Sequence, residues 1–455
     1  MSTSTFSASA YLDRRMPRIF LLGFISGFPW VLIGSALTLW LKEDGLSRST
    51  IGWASLIFGV YAINFWWAPL IDRVRVPLLT QLLGHRKAWI LTMQLIIILA
   101  LVAWSLVNPV DNLGIVIGIG LAIAISSATQ DITIDALRIE QINEHEKSAM
   151  AAGAAITVVG WWTGFKLGGT ITLFTAEWLE KAGHQNYWQL TFLLLILIII
   201  ACNIALMFVP EDRSNARENR QLADQERLEN QLGMGGRGGR FNIVGWVVST
   251  VIAPLSSFFR KNGVAVALAI LAFIFLFKIG EAFMGKMSVV FYKELGFSKG
   301  DIAIYSKTLG WITTVVFTLI GGWFAITSGV VRALFISGIA MACTNLLFAV
   351  MAWYGKSEWL FAIAVVVDDM AAAFATVAFV TFISLLVDRS YTATQYALLA
   401  SIGTAGRTLL AASSGALVDA LDGDWGIFFV LTTLMVIPSL IVLLIIRNKL
   451  QLRDD

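Results

Sequence analysis

Cysteine and charge are both scarce in this chain of 455 residues. There are two cysteines, and 14% of the residues are charged against 57% that are hydrophobic. Soluble globular domains carry about 25% charged residues, so the composition excludes an ordinary soluble protein. Cys202 and Cys343 stand in separate apolar stretches. They predict neither a disulfide nor a metal site.

Motifs for nucleotide binding or catalysis are also missing. The glycine-rich match at 233–238 follows no strand, and Gly355-Lys356-Ser357 has Val350 where a P-loop needs glycine. His145-Glu146 lacks the second histidine of a zinc-protease motif, and there is no nucleophile elbow. We therefore expect a protein that is not an enzyme and has no cofactor and no nucleic-acid partner. A membrane-embedded acyltransferase is the alternative from another class.

Long apolar stretches make up most of what is present. About 20 residues with few charges suffice to cross a bilayer as a helix. The polar segment 1–18 leads directly into the first such stretch, so no cleavable signal peptide is expected. We predict an all-α membrane protein with twelve transmembrane helices, at 19–41, 50–71, 88–107, 113–137, 149–175, 187–209, 263–291, 302–326, 333–353, 359–386, 393–417 and 426–446.

The longest polar stretch divides these spans into two groups of six. We expect an N-terminal half at 1–209, a cytoplasmic linker at 210–262 and a C-terminal half at 263–455. Most of the 33 Lys and Arg residues fall in segments on one side, which places both termini in the cytoplasm. Within the linker, the apolar segment 241–259 predicts an interfacial helix, with a thirteenth span as the alternative.

An internal repeat supports this division. The segment 40–47, Trp-Leu-Lys-Glu-Asp-Gly-Leu-Ser, matches 291–298, Phe-Tyr-Lys-Glu-Leu-Gly-Phe-Ser, and the glycine pair 160 and 169 matches the pair 406 and 415. Two parallel six-helix halves are the layout of the major facilitator superfamily fold, in which the substrate site lies between the halves.

Charged residues stand inside several predicted spans. Each costs at least ~2.5 kcal/mol on insertion scales, so such side chains normally face the bundle interior or a water-filled path. With a neighbouring glutamine and two tryptophans, they are our candidates for the substrate and proton pathway. These candidates are Gln130, Asp131, Lys166, Lys278, Glu281, Lys286, Asp368, Asp369, Arg407, Trp161 and Trp162.

Their spacing predicts how some of these groups are used. Lys278 and Glu281 are three residues apart and either form a structural ion pair or bind ligand. Adjacent helical residues point about 100° apart, so Asp368 and Asp369 cannot face the same spot. Arg407 has no partner in its own helix and needs a ligand or a carboxylate from another one. The cations would hold ligand carboxylates, and the carboxylates would handle the proton.

Trp161 and Trp162 follow Gly160 in a helix that also contains Gly164 and Gly168. Small residues let another helix approach closely. These two rings are therefore our candidates for stacking on sugar. The other tryptophans are expected to belong to the aromatic belt at the membrane surface.

The ends of spans two and four carry a second group of charges. Asp131 and Asp135 share one helical face, and a rise of ~1.5 Å per residue puts Asp131 about 27 Å along its span, near the inner mouth. We expect Asp135 and Arg138 to belong to a gate, the alternative being charges that merely mark the helix end.

Span two ends in Asp72-Arg73, followed by the basic cluster 84–87. This resembles the Asp-Arg and basic cluster that the major facilitator superfamily carries between spans two and three. The resemblance implies that Asp72 belongs to a latch between helix ends, with Arg73 beside it and Arg138 as the expected partner. An ordinary positive-inside loop is the alternative for the basic residues.

Motifs in the N-terminal half resemble one family in particular. They are Leu-Gly-Phe-Ile-Ser-Gly-Phe-Pro at 22–29, Gly-Ser-Ala-Leu at 34–37, Trp-Leu at 40–41, Trp-Ala-Pro-Leu-Ile-Asp-Arg at 67–73 and Ser-Ala-Thr-Gln-Asp-Ile-Thr-Ile-Asp-Ala at 127–136. The chain is similar there to the AmpG-type muropeptide permeases of Gram-negative bacteria. In the C-terminal half the similarity is one of layout.

The resemblance implies a proton-coupled importer in the bacterial inner membrane. Its substrates would be anhydro-muropeptides, GlcNAc linked to 1,6-anhydro-MurNAc with a stem peptide, taken up for cell-wall recycling and β-lactamase induction. We expect it to work as a monomer. Related siderophore importers and acetyl-CoA transporters share the motifs more loosely, so an importer of a siderophore or another small molecule is the alternative.

Overall fold

The described part of the chain is built from membrane-length helices. A computed structural model describes residues 10–46, 54–143, 145–211, 253–297, 301, 305–306, 309–411 and 413–450. Within them, nine helices are long and apolar enough to cross a membrane. These are α1 (Met16–Leu41), α3 (His85–Ser105), α4 (Leu113–Glu140), α6 (Tyr187–Met207), α7 (Val264–Tyr292), α8 (Gly310–Ser328), α9 (Val330–Tyr354), α10 (Glu358–Leu386) and α12 (Trp425–Ile446).

The other three predicted spans are helical as well, but they are broken or more polar. The helix α2 covers 54–73 in short pieces, the last of which is Ala68–Arg73. Pro69 stands in the first turn of that piece, where its missing N–H is tolerated. The helix α5 (Lys147–Lys181) is continuous over 35 residues, and α11 (Thr392–Ala411) has 20. The helices therefore follow the twelve predicted spans.

The linker is described at its two ends. Glu211 follows α6, and Ala253–Asn262 forms a helix that leads into α7, which we call the linker helix. Phe258 of the linker helix is 2% exposed and packs into the core. The described part of this helix has 10 residues. The rest of the predicted interfacial helix at 241–259 lies outside the described residues.

Each half has an aromatic core of its own. In the first half, Trp40 and Trp104 are both 0% exposed, and their ring centroids lie 5.0 and 5.1 Å from that of Phe192. In the second half, Phe348 and Phe361 are buried to a similar degree. The large rings of these cores fill the space between helices and are not available to a ligand.

Glycines bring α1 and α5 together. Gly23 and Gly27 on α1 face Gly160 and Gly164 on α5, with the same spacing of four residues on both helices. A Cβ at Gly160 would overlap the carbonyl oxygen of Phe20 and lie 3.1 Å from the Cα of Gly23. Such close backbones are what small residues four apart provide inside membranes. The glycine-rich face of α5 is therefore the packing surface for α1.

Alanine at Gly160 should lower the free energy of unfolding by about 1–3 kcal/mol, because its Cβ would press on main-chain atoms of α1. Gly169 is the matched control on the same helix, since a Cβ there has no atom within 4 Å. Gly169→Ala should be neutral or stabilise by up to about 1 kcal/mol through its helix propensity. Thermal unfolding in detergent compares the two, and equal shifts would contradict this packing.

The two halves touch where α2, α4 and α10 end and α11 begins, which we call the gate end. Tyr11, before α1, donates its hydroxyl to the carbonyl of Leu319 on α8 at 2.8 Å. Nearer the middle of the bundle, Ser401 of α11 donates to the Asn64 side chain of α2 at 3.1 Å. The helices of the two halves are therefore joined from the gate end to about mid-bundle.

Candidate substrate pathway and gate

Asp131 is the carboxylate that α4 directs toward α1. It accepts a hydrogen bond from the Ser26 hydroxyl at 2.7 Å and a long one from the Trp30 indole N–H at 3.5 Å. The α1 helix is irregular here, because Pro29 precedes Trp30 and a π-helical turn, Leu32–Ala36, follows. Irregular turns of this kind are frequent at functional sites. Asp131 is half-buried.

Gln130 points away from this face. Its Nε2 donates to the Ile25 carbonyl at 2.8 Å, and its Oε1 accepts from Gln94 at 2.6 Å. The side chain is 0% exposed. Adjacent residues of a helix point about 100° apart, so α4 directs Asp131 into the bundle and packs Gln130 between helices. Gln130 was expected on the pathway, and in this structure its side chain ties α4 to α1 and α3.

Aromatic rings surround Trp30. The ring centroids of Tyr61, Phe58 and Trp161 lie 4.4, 5.1 and 5.5 Å from that of Trp30. Tyr61 and Phe58 belong to α2 and Trp161 to α5. All four rings are half-buried. They form a continuous apolar surface beside Asp131.

Along α5 the surface continues to a cation. Trp161 lies 5.1 Å from Trp162 and 5.5 Å from Phe165 between ring centroids. The Lys166 Nζ lies 5.6 Å from the ring centroids of both Trp162 and Phe165, within cation–π range. We call Trp30, Phe58, Tyr61, Trp161, Trp162 and Phe165 together the aromatic wall.

The second half contributes a charged cluster on α7. Lys278 forms an ion pair with Glu281 at 3.0 Å and donates to the Thr376 hydroxyl on α10 at 2.7 Å. Asp368 and Arg407 are further electrostatic neighbours of Lys278. The pair that the spacing indicated is therefore present, and it belongs to a larger group with both signs of charge.

The two adjacent carboxylates of α10 turn to different neighbours. Asp368 accepts a hydrogen bond from Thr344 of α9 at 3.0 Å. Asp369 accepts one from Thr313 of α8. Their different directions are those expected for adjacent helical residues. Asp368 belongs to the Lys278 cluster, and Asp369 faces α8.

Arg407 is the exposed cation of this cluster. It follows Gly406, where α11 packs against the backbone of α7, since a Cβ there would lie 3.0 Å from the Phe275 carbonyl carbon. Among the residues that the structure describes, the Arg407 side chain has no hydrogen bond or ion pair to a carboxylate. The side chain of Lys286 lies outside the described residues.

Asp72 crosses from the first half to the start of α11. Its Oδ2 accepts from the Thr394 backbone N–H at 2.8 Å and from the Thr394 hydroxyl at 2.6 Å, and Oδ1 accepts from the Ala393 N–H at 3.4 Å. A carboxylate at a helix N-terminus satisfies free N–H groups and complements the helix dipole. Asp72 therefore caps a helix that belongs to the other half.

The cation that pairs with Asp72 is Arg86 and not Arg138, which corrects the sequence expectation. Arg86, at the start of α3, is 0% exposed. Its Nη2 donates to Asp72 at 2.7 Å and to Glu140 at 2.9 Å. Arg73 follows Asp72, half-buried in the last turn of α2, where a cation suits the helix dipole.

Arg138 makes a separate contact between the halves. It pairs with Asp135 at 3.2 Å, donates to Ser384 of α10 at 3.0 Å and lies 5.7 Å from the Tyr396 ring centroid. Asp135 and Arg138 thus lie together at the gate end. They engage α10 and α11, one turn away from the Asp72 latch.

Arg389 makes a contact between the halves that the sequence reasoning missed. It lies between α10 and α11 and donates to the carbonyls of Ile139, at 2.5 Å, and Ile142 of the first half. These carbonyls are at the end of α4, where a cation complements the helix dipole. In the sequence Arg389 looks like an ordinary positive-inside residue, which is why it was not singled out, and Arg86 was noted only as a member of the basic cluster 84–87.

The linker is tied to the gate from both sides. Glu211 accepts from the backbone N–H groups of Arg86 at 2.7 Å and Lys87 at 3.0 Å. Burial raises the pKa of the Glu211 carboxyl, and these two N–H groups oppose the rise. At the other end, Gln395 donates to the Pro254 carbonyl at 2.9 Å and to Ser257 at 2.8 Å.

Removing one donor to Asp72 should weaken the closed gate. Thr394→Val keeps the backbone N–H but loses the hydroxyl bond, worth about 1.5–3 kcal/mol to a charged acceptor. We expect the gate end to open more often, measured as faster labelling of a cysteine placed there. Thr381→Val on α10 is the control, because its hydroxyl bonds to the Val377 carbonyl within its own helix. Equal labelling in both variants would contradict the latch.

Among the residues that the structure describes, no group of three or more His, Cys, Asp or Glu side chains is placed to hold a metal ion. Cys202 and Cys343 are both free thiols.

Comparison with known proteins connects this geometry to a family. The model of the Major Facilitator Superfamily matches residues 19–306. The chain is 32% identical over 441 residues to a putative transporter AmpG 4 of Rickettsia conorii, covering 97% of this chain and 98% of that protein. It is 30% identical over 435 residues to the anhydromuropeptide permease of Escherichia coli K12, covering 95% and 80%.

A solved structure shares the fold. The proton:xylose symporter XylE, bound to 6-bromo-6-deoxy-D-glucose, superposes with a TM-score of 0.64 at 13% identity, covering 97% of this chain and 96% of that one. Related proteins of this fold are transporters and permeases and not enzymes. The membrane-length helices, the two halves and the near full-length similarity lead to one conclusion: the chain is a multi-pass transporter that belongs to the Major Facilitator Superfamily, in its AmpG-type group.

Proposed function

We propose that this transporter imports anhydro-muropeptides together with protons across the bacterial inner membrane, by alternating access between its two halves. The observation that supports the proposal is a set of charges of both signs and aromatic rings within the bundle. Asp131 lies beside the aromatic wall in the first half, and the Lys278 cluster with Arg407 lies in the second. The near full-length similarity to an anhydromuropeptide permease supports this substrate.

A muropeptide has parts that suit each kind of side chain. Its sugar rings have apolar faces, and its peptide has an amine and carboxylates. Arginine binds carboxylates through paired N–H groups, and Arg407 is exposed for such a contact. Carboxylates such as Asp131, Glu281, Asp368 and Asp369 accept an amine or a proton. One proton entering down a 100 mV potential contributes ~2.3 kcal/mol to the cycle.

The gate end is the proposed cytoplasmic side. The excess of Lys and Arg in the loops at the gate end assigns that end to the cytoplasm, with both termini there. Asp72, Arg138 and Arg389 join the halves at this end. In the proposed cycle this arrangement accepts ligand from the outside, and separation of these contacts opens the path inward. The working unit is one chain, with halves at 1–209 and 263–455 joined by the linker at 210–262.

Uptake of labelled anhydro-muropeptide tests the proposal. A strain lacking its own permease, carrying this gene or an empty plasmid, is exposed to the labelled compound with and without an uncoupler. We expect uptake that needs the gene and falls to the background with the uncoupler. Uptake unaffected by the uncoupler would contradict proton coupling. If the cells took up a ferric siderophore but not the labelled anhydro-muropeptide, the proposed substrate would be wrong and a siderophore would take its place.

A further inference from the structure

We propose that the sugar rings of the ligand bind to the aromatic wall of the first half, while its peptide carboxylates bind to Arg407 of the second. This inference rests on the proposed function, since it divides that ligand between the halves. It assigns to the first half a saccharide site made of the aromatic wall, Asp131 and Lys166.

The aromatic wall lies inside the bundle. Trp30 of α1 contacts Tyr61 of α2, Trp161 of α5 and Asp131 of α4. A side chain enclosed by three neighbouring helices does not face lipid. Trp30 and Trp161 nevertheless remain partly exposed. The exposed parts of their rings therefore border the space within the bundle.

The chemistry around the wall fits a pyranose ring. One face of a pyranose is lined by C–H bonds, which carry partial positive charge and pack on the negative face of an aromatic ring. Hydroxyl and acetamido N–H groups at the ring edge need an acceptor. Asp131 supplies one, because its Oδ2 accepts a long 3.5 Å bond from Trp30 and a carboxylate oxygen can accept further bonds. Lys166, 5.6 Å from the Trp162 ring centroid, supplies a donor.

The second half offers a different surface. Around its charged cluster, the residues Tyr292 and Phe361 are 3% and 0% exposed, and their rings pack against each other in a tilted arrangement with 4.4 Å between centroids. They are part of the core, so they present no face to a sugar. Arg407 is exposed there, and a guanidinium binds carboxylate in a fork of two bonds. The contrast assigns sugar to the first half and peptide to the second.

Binding to the purified full-length transporter tests this division by calorimetry with two probes. One is GlcNAc-1,6-anhydro-MurNAc with a tripeptide, and the other is the same disaccharide with its lactyl carboxyl capped as the methylamide. Trp161→Ala should weaken the binding of both probes by about tenfold, because each probe loses one ring on which its sugar stacks. Trp161→Phe keeps a stacking face and should stay within about threefold of wild type. Trp178→Ala, 66% exposed on the same helix, should bind as wild type.

Arg407→Ala should weaken the binding of the tripeptide probe by about tenfold or more. Its affinity for the capped disaccharide should stay within about twofold of wild type. Thermal unfolding without ligand confirms that each variant is folded, and Trp162→Ala replaces Trp161→Ala if the latter is not. The division would be overturned if the tryptophan variants bound both probes normally while Arg407→Ala lost both. The proposed function would remain intact in that case. Binding of neither probe to wild type would overturn the proposed function, and the division with it.

Discussion

Arg86→Ala should lower the free energy of unfolding by about 3–5 kcal/mol. The arginine is 0% exposed and is held between Asp72 at 2.7 Å and Glu140 at 2.9 Å. Its removal leaves the Asp72 carboxylate, 3% exposed, without its cation. Breaking a buried pair from one side is costly because the remaining charge stays out of water. Denaturation of the purified protein in detergent measures this loss.

Arg86→Lys provides the matched control. A lysine keeps the positive charge but has one point of charge in place of a planar fork, so it cannot serve both carboxylates equally. We expect a stability between those of wild type and Arg86→Ala. Both variants should also open the gate end more readily, since Asp72 holds α11 only when its orientation is maintained. Wild-type stability of Arg86→Ala would mean that the latch is not held by this arginine.

Arg407→Ala should reduce the apparent affinity for anhydro-muropeptide in uptake by about tenfold or more. Arg407 is the exposed member of the charged cluster of the second half. Its positive charge interacts with that of Lys278. Losing it removes a paired, charge-assisted contact to the ligand, and such contacts are the strong ones. Uptake measured over a range of substrate concentrations gives the shift.

Two variants accompany this measurement. Arg407→Lys should retain part of the affinity, because the charge remains while the fork is lost. Arg332→Ala removes an exposed arginine at the start of α9, away from the cluster, and should leave uptake unchanged. An Arg407→Ala transporter with wild-type affinity would remove this residue from the ligand site.

The span pattern was readable from the sequence because it depends on local composition. Twenty apolar residues predict a helix wherever they occur, and the helices follow the predicted places. The spacing of Lys278 and Glu281 predicted a contact that needs only one helix. Family motifs such as 127–136 gave the relationship that the full-length similarity confirms.

Contacts between distant segments were not readable in the same way. The latch involves Asp72, Arg86 and Thr394, whose meeting depends on how three helices pack. Arg138 was expected at Asp72 because it ends the neighbouring span, but it faces Ser384 and Tyr396. The tertiary arrangement decides which of several nearby basic residues reaches a carboxylate.

The aromatic wall is a second feature that could not be predicted from the sequence. Trp161 and Trp162 were singled out for the glycines around them, while Trp30, Phe58 and Tyr61 were not. The glycines turned out to pack α5 against α1. That packing is what brings Trp161 to 5.5 Å from Trp30. A ligand surface assembled from three helices requires the packing to be known first.

Proton movement caused by the substrate tests the central claim most directly. Liposomes containing the purified transporter and an internal pH dye are prepared with equal pH on both sides and no membrane potential. Addition of anhydro-muropeptide outside should acidify the interior, because each inward-moving ligand carries protons with it. The signal should be absent from protein-free liposomes. Entry of labelled anhydro-muropeptide with no change of internal pH would contradict the account.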